Sequence, residues 1–379
     1  MKKILFIIPD FAHGGTNKSL ESYLALLDKT NYDVSIFCHT SARREGYYFS
    51  RFSPYLLKNF CFNTLIKVNS ITRKMYRLAV SIFPGLSHFC DVHEANIIQK
   101  NNKFDVIIGF QEGPTTKYAS LFEAKIKIAW LHSFFSLLSK KEAEVENKNV
   151  YDKFTRIVCV SNEVKAYFQR CLPGFESKCV KIYNPLNSFD IQSKAKESID
   201  DEKFDYDGFK ILSVGRLDDV KNFHVIPEII KNMKSHGASG FKWFIMGASF
   251  NEDYKRLLLN KIEEYQVAEE LVLLGQKDNP YPYINKANLM VCPSKSEGYP
   301  YVLNEAKILH TPIVANSFKA AYEVVNEDCG FIVDIDKMAG LLLNVVQNRE
   351  HIYDNVLNSI TKYSYNNDEI FHQLQTLLD

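Results

Sequence analysis

The sequence lacks the features that define several classes of protein. Its 379 residues contain no apolar run near the roughly 20 residues that a membrane span needs. The formal charge of +1, from 46 basic and 45 acidic residues, argues against nucleic acid as the main partner. There is no repeat of solenoid period and no low-complexity tract. The remaining class is an ordinary globular protein, and this length predicts two domains.

The eight cysteines form no Cys-x-x-Cys pair. Several lie inside apolar runs, as Cys159 does, which is typical of buried reduced thiols in a cytoplasmic protein and not of a disulfide framework. Lys2 and Lys3 precede an apolar run, as in a signal peptide, but the run ends at Pro9 and is too short for one. It favours a buried first strand.

Short apolar runs without alternation predict parallel strands that are covered on both faces. Six occur in each half of the chain, and segments of helical length separate several of them. They are Ile4–Ile8, Val34–Cys38, Val106–Gly109, Ile126–Leu131, Ile157–Val160 and Val180–Tyr183 in the first half, and Lys210–Val214, Trp243–Met246, Leu271–Leu274, Leu289–Cys292, Pro312–Ala315 and Phe331–Val333 in the second. The sequence therefore predicts two doubly wound α/β domains.

The segment from Pro185 to Gly208 is polar, rich in acidic residues and without a clear strand. We interpret it as a linker, which gives a first domain of residues 1–186 and a second of residues 187–364. A helix near 365–379 is assigned to the first domain. The Asp200-Asp201 pair in the linker is interpreted as a solvated charge run and not as a pair of metal ligands.

The most specific segment follows the tenth predicted strand and reads Ser-Lys-Ser-Glu-Gly-Tyr-Pro-Tyr-Val-Leu-Asn-Glu-Ala. We predict a loop that contains Glu297 and a helix that begins near Tyr301, contains Glu305 and ends before Pro312. A carboxylate on such a helix can bind both hydroxyls of a ribose, and the N–H groups at the helix N-terminus can bind a diphosphate. For two glutamates at this spacing alone, solvated helix charges are the alternative.

Arg216 and Lys221 follow the seventh predicted strand. Two cations beyond the C-terminal end of a strand suit a diphosphate leaving group, whose developing charge they would stabilise. The alternative is a surface ion pair with Asp218 or Asp219.

Two further candidate positions lie at predicted strand ends. Gly14 and Gly15 directly follow the first strand, but without the Gly-x-Gly-x-x-Gly pattern they support dinucleotide binding only weakly, and a tight turn is the alternative. His132 follows the fourth strand, at the edge where such sheets bind ligands. A core or rim histidine is the alternative there.

Together these motifs resemble the retaining family-4-type glycosyltransferases of the GT-B fold (glycosyl transferases group 1). Their signature is Glu-Gly-Phe-Pro-x-Val-x-x-Glu-Ala-x-x-x-Gly-x-Pro-Val-Val, and a Lys-Gly pair follows their Gly-Arg-Leu. This chain departs from the signature at three positions. Tyr299 replaces Phe, and His310 replaces the second Gly, which puts the C-terminal cap of the helix in doubt. Asn222 replaces the Gly after Lys, and Asn would serve there as a helix cap. The resemblance covers most of the chain and implies two Rossmann-like doubly wound domains that face a central cleft.

The resemblance also implies a role for each motif. Glu305 would hold the ribose, Glu297 the hydroxyls of the donor sugar, Arg216 and Lys221 the diphosphate, and His132 the sugar from the opposing domain. The glycine loop would help to place the acceptor, and the loop around Gln276 would hold the base through backbone groups. The full set of expected donor contacts beyond the four catalytic candidates is Gly14, Gly15, Gly215, Gln276, Gly298, Tyr299, Pro300, Tyr301, Val302 and Glu305.

The implied reaction moves a sugar from a nucleoside diphosphate sugar, with a UDP-sugar favoured, to a hydroxyl acceptor with retention of configuration. The implied setting is bacterial polysaccharide or glycolipid assembly, with a lipid-linked or polysaccharide acceptor. We expect no cofactor beyond the nucleotide-sugar co-substrate and no metal, since two cations offset the charge of the leaving group. A sugar-nucleotide 2-epimerase and a non-catalytic sugar-nucleotide-binding protein are the alternatives.

Between residues 42 and 85, eight basic residues meet a single acid, a net charge of +7, and nine aromatic residues are interleaved with them. Cationic and aromatic residues together suit an anionic membrane interface. Residues 43–77 therefore predict peripheral attachment to the inner face of a membrane. An ordinary folded insertion is the alternative, and no nucleic-acid motif accompanies the segment.

Overall fold

The computed structural model describes residues 1–12, 14–39, 46–57, 82–83, 85–134, 144–348 and 351–379. The chain divides into two compact units. The first consists of Met1–Leu186 together with Asn367–Asp379, and the second of Asn187–Asn366. None of the helices in the described ranges has the length and apolar character needed to cross a membrane.

The described part of the first unit contains a parallel six-stranded sheet. Its strands are β1 (Lys2–Ile8), β2 (Tyr32–Cys38), β3 (Val106–Gly109), β4 (Ile126–Leu131), β5 (Arg156–Cys159) and β6 (Cys179–Lys181). They lie in the order β2-β1-β3-β4-β5-β6. The order reverses between β1 and β3, and open sheets of this kind bind ligands at such a switch point.

The helices of the first unit connect these strands. Ser161 caps the helix after β5 by accepting a hydrogen bond from the N–H of Val164, and Pro114 begins the helix after β3. The described α-helices are Gly15–Leu26, Phe49–Phe52, Gly85–Asn101, Pro114–Ala119, Glu144–Asp152, Asn162–Cys171 and Asp368–Leu378, and the short 3₁₀ helices are Ser53–Tyr55 and Glu176–Lys178.

The second unit contains a second six-stranded parallel sheet among its described residues. Its strands are β7 (Phe209–Val214), β8 (Phe241–Met246), β9 (Leu271–Gly275), β10 (Leu289–Cys292), β11 (Ile313–Asn316) and β12 (Gly330–Val333). The order is β12-β11-β10-β7-β8-β9, so the switch point lies between β7 and β10. The loops that leave these two strands therefore meet at one edge of the sheet.

The second unit's helices follow the same alternation with strands. Asn251 caps one of them by accepting from the N–H groups of Asp253 and Tyr254. The described α-helices are Ser188–Lys194, Ile226–Ser235, Glu252–Glu264, Tyr281–Lys286, Tyr301–Ile308, Ile335–Val346 and Ile352–Ile360, and the 3₁₀ helices are Glu202–Phe204, Phe223–Val225 and Lys319–Glu323.

The predicted strands are all confirmed, with ends that differ by at most two residues. Central strands are buried along their whole length, as β3 and β10 are, because helices cover both faces of each sheet. In the first unit Trp130 packs against Tyr23 and Phe110, and in the second Trp243 is fully buried in the core. The cysteines that the structure describes are free thiols, and most are buried.

The C-terminal helix belongs to the first unit. Lys2 Nζ donates to the carbonyl oxygen of Leu378 at 2.6 Å and to Asp379 Oδ1 at 3.1 Å. Asn367 Nδ2 donates to the carbonyl oxygen of Leu186 at 2.9 Å. These bonds hold the last residues of the chain against the unit in which the chain begins.

The segment interpreted as a linker is more ordered than its composition indicates. It contains the helix Ser188–Lys194, and Phe204 is buried. Asp201 is not a solvated charge, because its carboxylate pairs with Lys277 Nζ at 2.7 Å and accepts from the hydroxyl of Tyr283 at 3.4 Å. That interpretation was wrong for Asp201, whereas Asp200 is exposed.

Candidate active site

The switch point of the second unit brings together two residues that are 76 positions apart. Lys221 lies in the loop after β7 and Glu297 in the loop after β10, and Lys221 Nζ lies 2.6 Å from Glu297 Oε1. Both side chains are mostly buried, at 18% and 13% exposure. The fold thus places a cation and a carboxylate in contact at the ligand-binding edge of the sheet.

Glu297 is held from two sides. Ser294 Oγ donates to Glu297 Oε1 at 2.8 Å, the same oxygen that contacts Lys221. Glu297 Oε2 has no hydrogen-bond partner among the described residues. One carboxylate oxygen is therefore fixed by the protein, and the other can accept a bond from a ligand.

The backbone around Lys221 is fixed as well. Its N–H donates to Asp218 Oδ1 at 3.0 Å. A Cβ at Gly215 would lie 2.9 Å from Lys221 Cε, so a side chain there would displace the ammonium group. Burial lowers the pKa of Lys221, but the Glu297 carboxylate outweighs this effect and leaves the pKa above its usual value. Lys221 is therefore a charged ammonium group at neutral pH.

Arg216 lies in a different environment from Lys221. Its side chain is 66% exposed, and its Nε donates to Asp218 Oδ2 at 3.0 Å. The surface ion pair left open as an alternative is thus present for Arg216. For Lys221 it is not, because the partner of its ammonium group is Glu297.

The helix that follows the Glu297 loop begins at Tyr301 and ends at Ile308, as predicted. Glu305 lies on it, one turn after Tyr301, and is 4% exposed. Gly298, Tyr299 and Pro300 form the turn into the helix, and Val302 lies in its first turn. The rings of Tyr299 and Tyr301 meet edge to face, with centroids 5.5 Å apart.

The loop after β9 is anchored to the start of the same unit. Asn279 Nδ2 donates to the carbonyl oxygen of Lys194 at 2.9 Å and to Glu197 Oε2 at 2.8 Å. Gln276 is exposed in this loop. The carbonyl oxygen of Gly275 accepts from the N–H of Gly247, which joins the loops that leave β8 and β9.

In the first unit, His132 lies at the end of β4 and packs edge to face on Phe110, with ring centroids 4.7 Å apart. Its Nε2 is buried and has no hydrogen-bond partner among the described residues. Burial lowers the pKa of His132 to about 3, so the ring is neutral at pH 7. Sequence reasoning missed Glu112, which accepts from the N–H of His132 at 2.8 Å.

Gly14 and Gly15 lie where the helix after β1 begins. Gly14 has no side chain that could cap the helix. Asn17 Nδ2 donates to the carbonyl oxygens of Asp10 at 3.2 Å and Ala12 at 2.9 Å. Asn17 thus links the residues after β1 to the first turn of the helix. Whether these glycines also contact substrate stays a prediction.

Most of the predicted membrane segment 43–77 lies outside the described residues, which cover only 46–57 of it. Within that part, Arg51 pairs with Glu21 at 3.2 Å and its guanidinium lies over the Tyr47 ring at 4.5 Å. Within the described ranges, no three His, Cys, Asp or Glu side chains lie together in a group that could hold a metal ion.

Residues 194–362, nearly the whole second unit, match the family model of glycosyl transferases group 1. The chain contains a glycosyl transferases group 1 domain. It is 23% identical over 339 residues, covering 88% of this chain and 86% of the relative, to the amylovoran biosynthesis glycosyltransferase AmsD of Erwinia amylovora. A second relative, from Campylobacter jejuni, is the N-acetylgalactosamine-N,N'-diacetylbacillosaminyl-diphospho-undecaprenol 4-alpha-N-acetylgalactosaminyltransferase, 33% identical over 162 residues, 42% of this chain and 41% of that protein.

Solved structures confirm the predicted GT-B fold. Anabaena HepE in complex with UDP superposes with a TM-score of 0.73 at 16% identity, covering 100% of this chain and 99% of the other. The lipopolysaccharide outer core galactosyltransferase WaaB in its apo form gives 0.66 at 15% identity, with the same coverage of both chains.

Two departures of this group 1 domain from the family signature have the same backbone conformation. Asn222 has φ +61° and His310 has φ +57°, the left-handed region that glycine adopts most easily. The residue type of Asn222 predicted a cap for the following helix, but its side chain makes no such hydrogen bond. Its Nδ2 donates instead to the carbonyl oxygen of Pro293 at 3.1 Å, which joins the two loops that carry Lys221 and Glu297.

Proposed function

We propose that the protein is a glycosyltransferase that moves a sugar from a nucleoside diphosphate sugar, with a UDP-sugar favoured, to a hydroxyl acceptor. The Lys221–Glu297 pair at the switch point of a glycosyl transferases group 1 domain carries this proposal. A nucleotide sugar has the matching groups, since its diphosphate is anionic and its sugar hydroxyls donate hydrogen bonds. HepE, which shares the fold, has been solved with UDP and with UDP-glucose, and this favours UDP as the nucleotide.

Lys221 is the proposed electrostatic partner of the leaving diphosphate. An ammonium group has three N–H donors, and the Glu297 contact uses one of them. The other two can bind phosphate oxygens, where a fixed cation stabilises the charge that develops as the diphosphate leaves. Arg216 would add a second cation by exchanging Asp218 for a phosphate oxygen.

Glu297 and Glu305 are the proposed carboxylates for the sugar and the ribose. Glu297 Oε2 would accept from the donor sugar hydroxyls, while Glu305 on the helix Tyr301–Ile308 would bind the ribose. The backbone of Gly215, Gln276 and 298–302 would complete the donor site. His132 would contact the sugar through its neutral ring, and Gly14 and Gly15 would help to place the acceptor.

With retention of configuration, the acceptor oxygen forms its bond to the anomeric carbon on the face from which the diphosphate departs. The bond from the anomeric carbon to the β-phosphate oxygen breaks, and its electron pair stays on the diphosphate. The proton of the acceptor hydroxyl passes to the departing phosphate oxygen. Every group in this step comes from the two substrates, and the protein supplies position and charge.

The relatives favour a bacterial polysaccharide or glycolipid as the product. One is named for amylovoran biosynthesis and another for a diphospho-undecaprenol substrate. We propose a lipid-linked or polysaccharide acceptor and a cytoplasmic location with attachment to the inner membrane face. Exposed apolar side chains directly after the basic segment support this attachment: Ile82, Phe83 and Phe89.

A thermal-shift panel of UDP-, GDP- and ADP-sugars tests the donor. A ligand at 100 times its Kd adds about 2.7 kcal/mol of stability, and we expect this shift with UDP-sugars. Glu305→Gln should weaken binding of free UDP by about 1.5–3 kcal/mol, since a hydrogen bond to a charged group is lost. Calorimetry measures this, and equal affinity of variant and wild type would contradict the ribose contact.

Activity assays then separate the alternatives. A glycosyltransferase transfers the sugar when an acceptor is present. Without an acceptor it hydrolyses the donor to UDP slowly or leaves it unchanged. A 2-epimerase would interconvert nucleotide sugars without an acceptor, and a binding protein would do neither. We also propose that transfer survives EDTA, with Arg216 and Lys221 supplying the positive charge; loss on chelation that Mg²⁺ or Mn²⁺ restores would contradict this.

A further inference from the structure

Glu112 links the ends of two neighbouring strands in the first unit. It follows β3, and it accepts a hydrogen bond from the N–H of His132 at 2.8 Å through Oε2. The hydroxyl of Ser133 donates to its other oxygen, Oε1. Because β3 and β4 are adjacent and parallel, their C-terminal ends lie at the same edge, and one carboxylate can bind two consecutive residues of the next loop.

The environment of Glu112 is an unfavourable one for a carboxylate. The side chain is 6% exposed, and burial raises its pKa while the bonds from Ser133 and His132 oppose the rise. Burial of a carboxylate costs free energy unless hydrogen bonds compensate for the lost contacts with water. Here both oxygens are used on the backbone and side chain at the exit of β4, which fixes the path of the chain at His132.

His132 has one polar atom that the protein leaves for another group. Its ring packs against Phe110, and its buried Nε2 has no partner among the described residues. A buried nitrogen without a partner costs free energy, and a ligand hydroxyl at this place would remove that cost. The direction of this nitrogen depends on the backbone of His132, and that backbone is bonded to Glu112.

We propose that Glu112 is a positioning residue that acts through His132 by fixing the direction of the ring towards the substrate. This inference rests on the proposed function, in which His132 contacts the donor sugar. It adds a residue of the first unit that the family signature does not include. Glu112 itself touches no substrate in this proposal.

A double-mutant cycle on sugar transfer tests it. His132→Ala should lower kcat/KM by about 10- to 100-fold, because a misplaced or missing contact to the reacting sugar has effects of this size. Glu112→Ala should cause a similar loss. The kcat/KM of the double variant should lie within about twofold of that of His132→Ala. Glu112→Gln keeps the shape and one acceptor oxygen, and it should recover most of the activity.

Glu94 provides a matched control in the same unit. It is a buried glutamate that accepts from the hydroxyl of Tyr118 at 2.8 Å and is not bonded to His132. The effect of Glu94→Ala on transfer should multiply with that of His132→Ala. The affinity for UDP, measured by calorimetry, should stay at the wild-type value in the Glu112 variants. If Glu112→Ala does not fold, Glu112→Leu replaces it in the cycle, because leucine fills similar space without an acceptor oxygen for the N–H of His132.

The outcomes distinguish the two ideas. Independent losses for Glu112→Ala and His132→Ala, which multiply in the double variant, would overturn the positioning role alone. Wild-type rates for His132→Ala would overturn the contact between His132 and the sugar, and the positioning role with it. A wild-type protein that transfers no sugar from any donor would instead refute the proposed function.

Discussion

Lys221 and Arg216 have the same proposed task but different surroundings. Lys221 is mostly buried against Glu297, whereas Arg216 is largely exposed beside Asp218. Removing Lys221 leaves a mostly buried carboxylate without its cation, which is strongly destabilising. Exposed pairs such as Arg216–Asp218 contribute little. The two variants should therefore share an effect on catalysis and differ in stability.

We expect Lys221→Ala and Arg216→Ala each to lower kcat by about 10²–10³-fold, and to raise the donor KM much less. Lys221→Ala should also lower the free energy of unfolding by about 3 kcal/mol, and Arg216→Ala by less than about 1 kcal/mol. Initial rates and urea unfolding measure both quantities. Lys295→Ala is the control, since its exposed pair with Asp219 at 2.6 Å has no proposed role. An unchanged kcat in both folded variants would mean that the leaving group is stabilised elsewhere.

The buried ring of His132 predicts a dependence of stability on pH. Its pKa is about 3 in the folded protein and about 6.5 in the unfolded chain. Below pH 6.5 the unfolded state binds a proton that the folded state does not, so stability falls as the pH falls from 6.5 towards 3. Above 6.5 the ring is neutral in both states and contributes no pH dependence. The slope is at most about 1.4 kcal/mol per pH unit.

Urea unfolding of wild type and His132→Gln at pH 7.5, 5.5 and 4.5 measures this effect. Both proteins carry the same other titrating groups, so the difference between their pH profiles isolates the ring. Wild type should lose more stability than the variant between pH 7.5 and 4.5. Parallel profiles would show that the ring takes up its proton in the folded state as well.

The candidate site residues were predicted from sequence by their residue type and by their position directly after a strand. Lys221 and Glu297 were identified separately, but their contact depends on β10 lying beside β7, and no spacing along the chain encodes that order. The direction of Arg216 depends on a side-chain conformation, which sequence leaves open. Glu112 was missed because one acidic residue after a short apolar run is common in any α/β protein.

The strands were predicted well because buried parallel strands have a simple sequence pattern. Helices on both faces require apolar residues at consecutive positions, so a run such as Ile107–Ile108 between polar segments marks a strand directly. The helix Tyr301–Ile308 was predicted from its flanking prolines. The order of strands was not predictable, since every run is equally apolar. The ordered structure of Ser188–Lys194 was also missed, because its polar composition is shared with linkers.

The end of the helix Tyr301–Ile308 shows how the chain replaces a glycine. The N–H of His310 donates to the carbonyl oxygen of Lys307 at 3.1 Å and that of Thr311 to the carbonyl oxygen of Ala306 at 2.8 Å, the two bonds of a Schellman motif. The doubt about this cap is therefore resolved: the geometry is kept with histidine in the left-handed conformation. His310 Nε2 lies 3.2 Å from the carbonyl oxygen of Tyr363, which offsets part of the strain.

We expect His310→Gly to be about as stable as wild type and His310→Ala to be less stable than His310→Gly by about 1 kcal/mol. Glycine removes the left-handed strain and loses the ring contact, while alanine loses the contact and keeps the strain. Urea unfolding of the three proteins measures the order. Equal stability of the two variants would show that the backbone at 310 relaxes out of the left-handed region.

At the scale of the whole molecule, the first unit is discontinuous in sequence. Lys2 contacts Leu378 and Asp379, so the first strand and the last helix depend on each other. A domain boundary between two sets of apolar runs can be predicted from sequence. The packing of a terminal helix on the first unit depends on contacts between residues that are far apart in the chain.

The last prediction concerns the basic segment: the purified protein should bind anionic vesicles through residues 43–77, and salt should weaken the binding. Each cation near such a surface contributes about 1 kcal/mol, which is screened beyond about 8 Å at physiological ionic strength. Replacing Arg73, Lys74 and Arg77 with Glu should release the protein from vesicles in a sedimentation assay. The affinity for UDP should not change, because the proposed nucleotide contacts lie in the second unit.

The matched control makes the same change of charge at three exposed cations of the second unit, Lys231, Lys255 and Arg256. If residues 43–77 form a membrane-binding surface together with the exposed Ile82, Phe83 and Phe89, this variant should lose only a small part of the binding, because its cations belong to the second unit. Equal loss in both variants would indicate a response to net charge and not a membrane-binding surface. If wild type does not sediment with anionic vesicles even at low salt, the segment is an ordinary insertion, and a soluble acceptor becomes the better hypothesis.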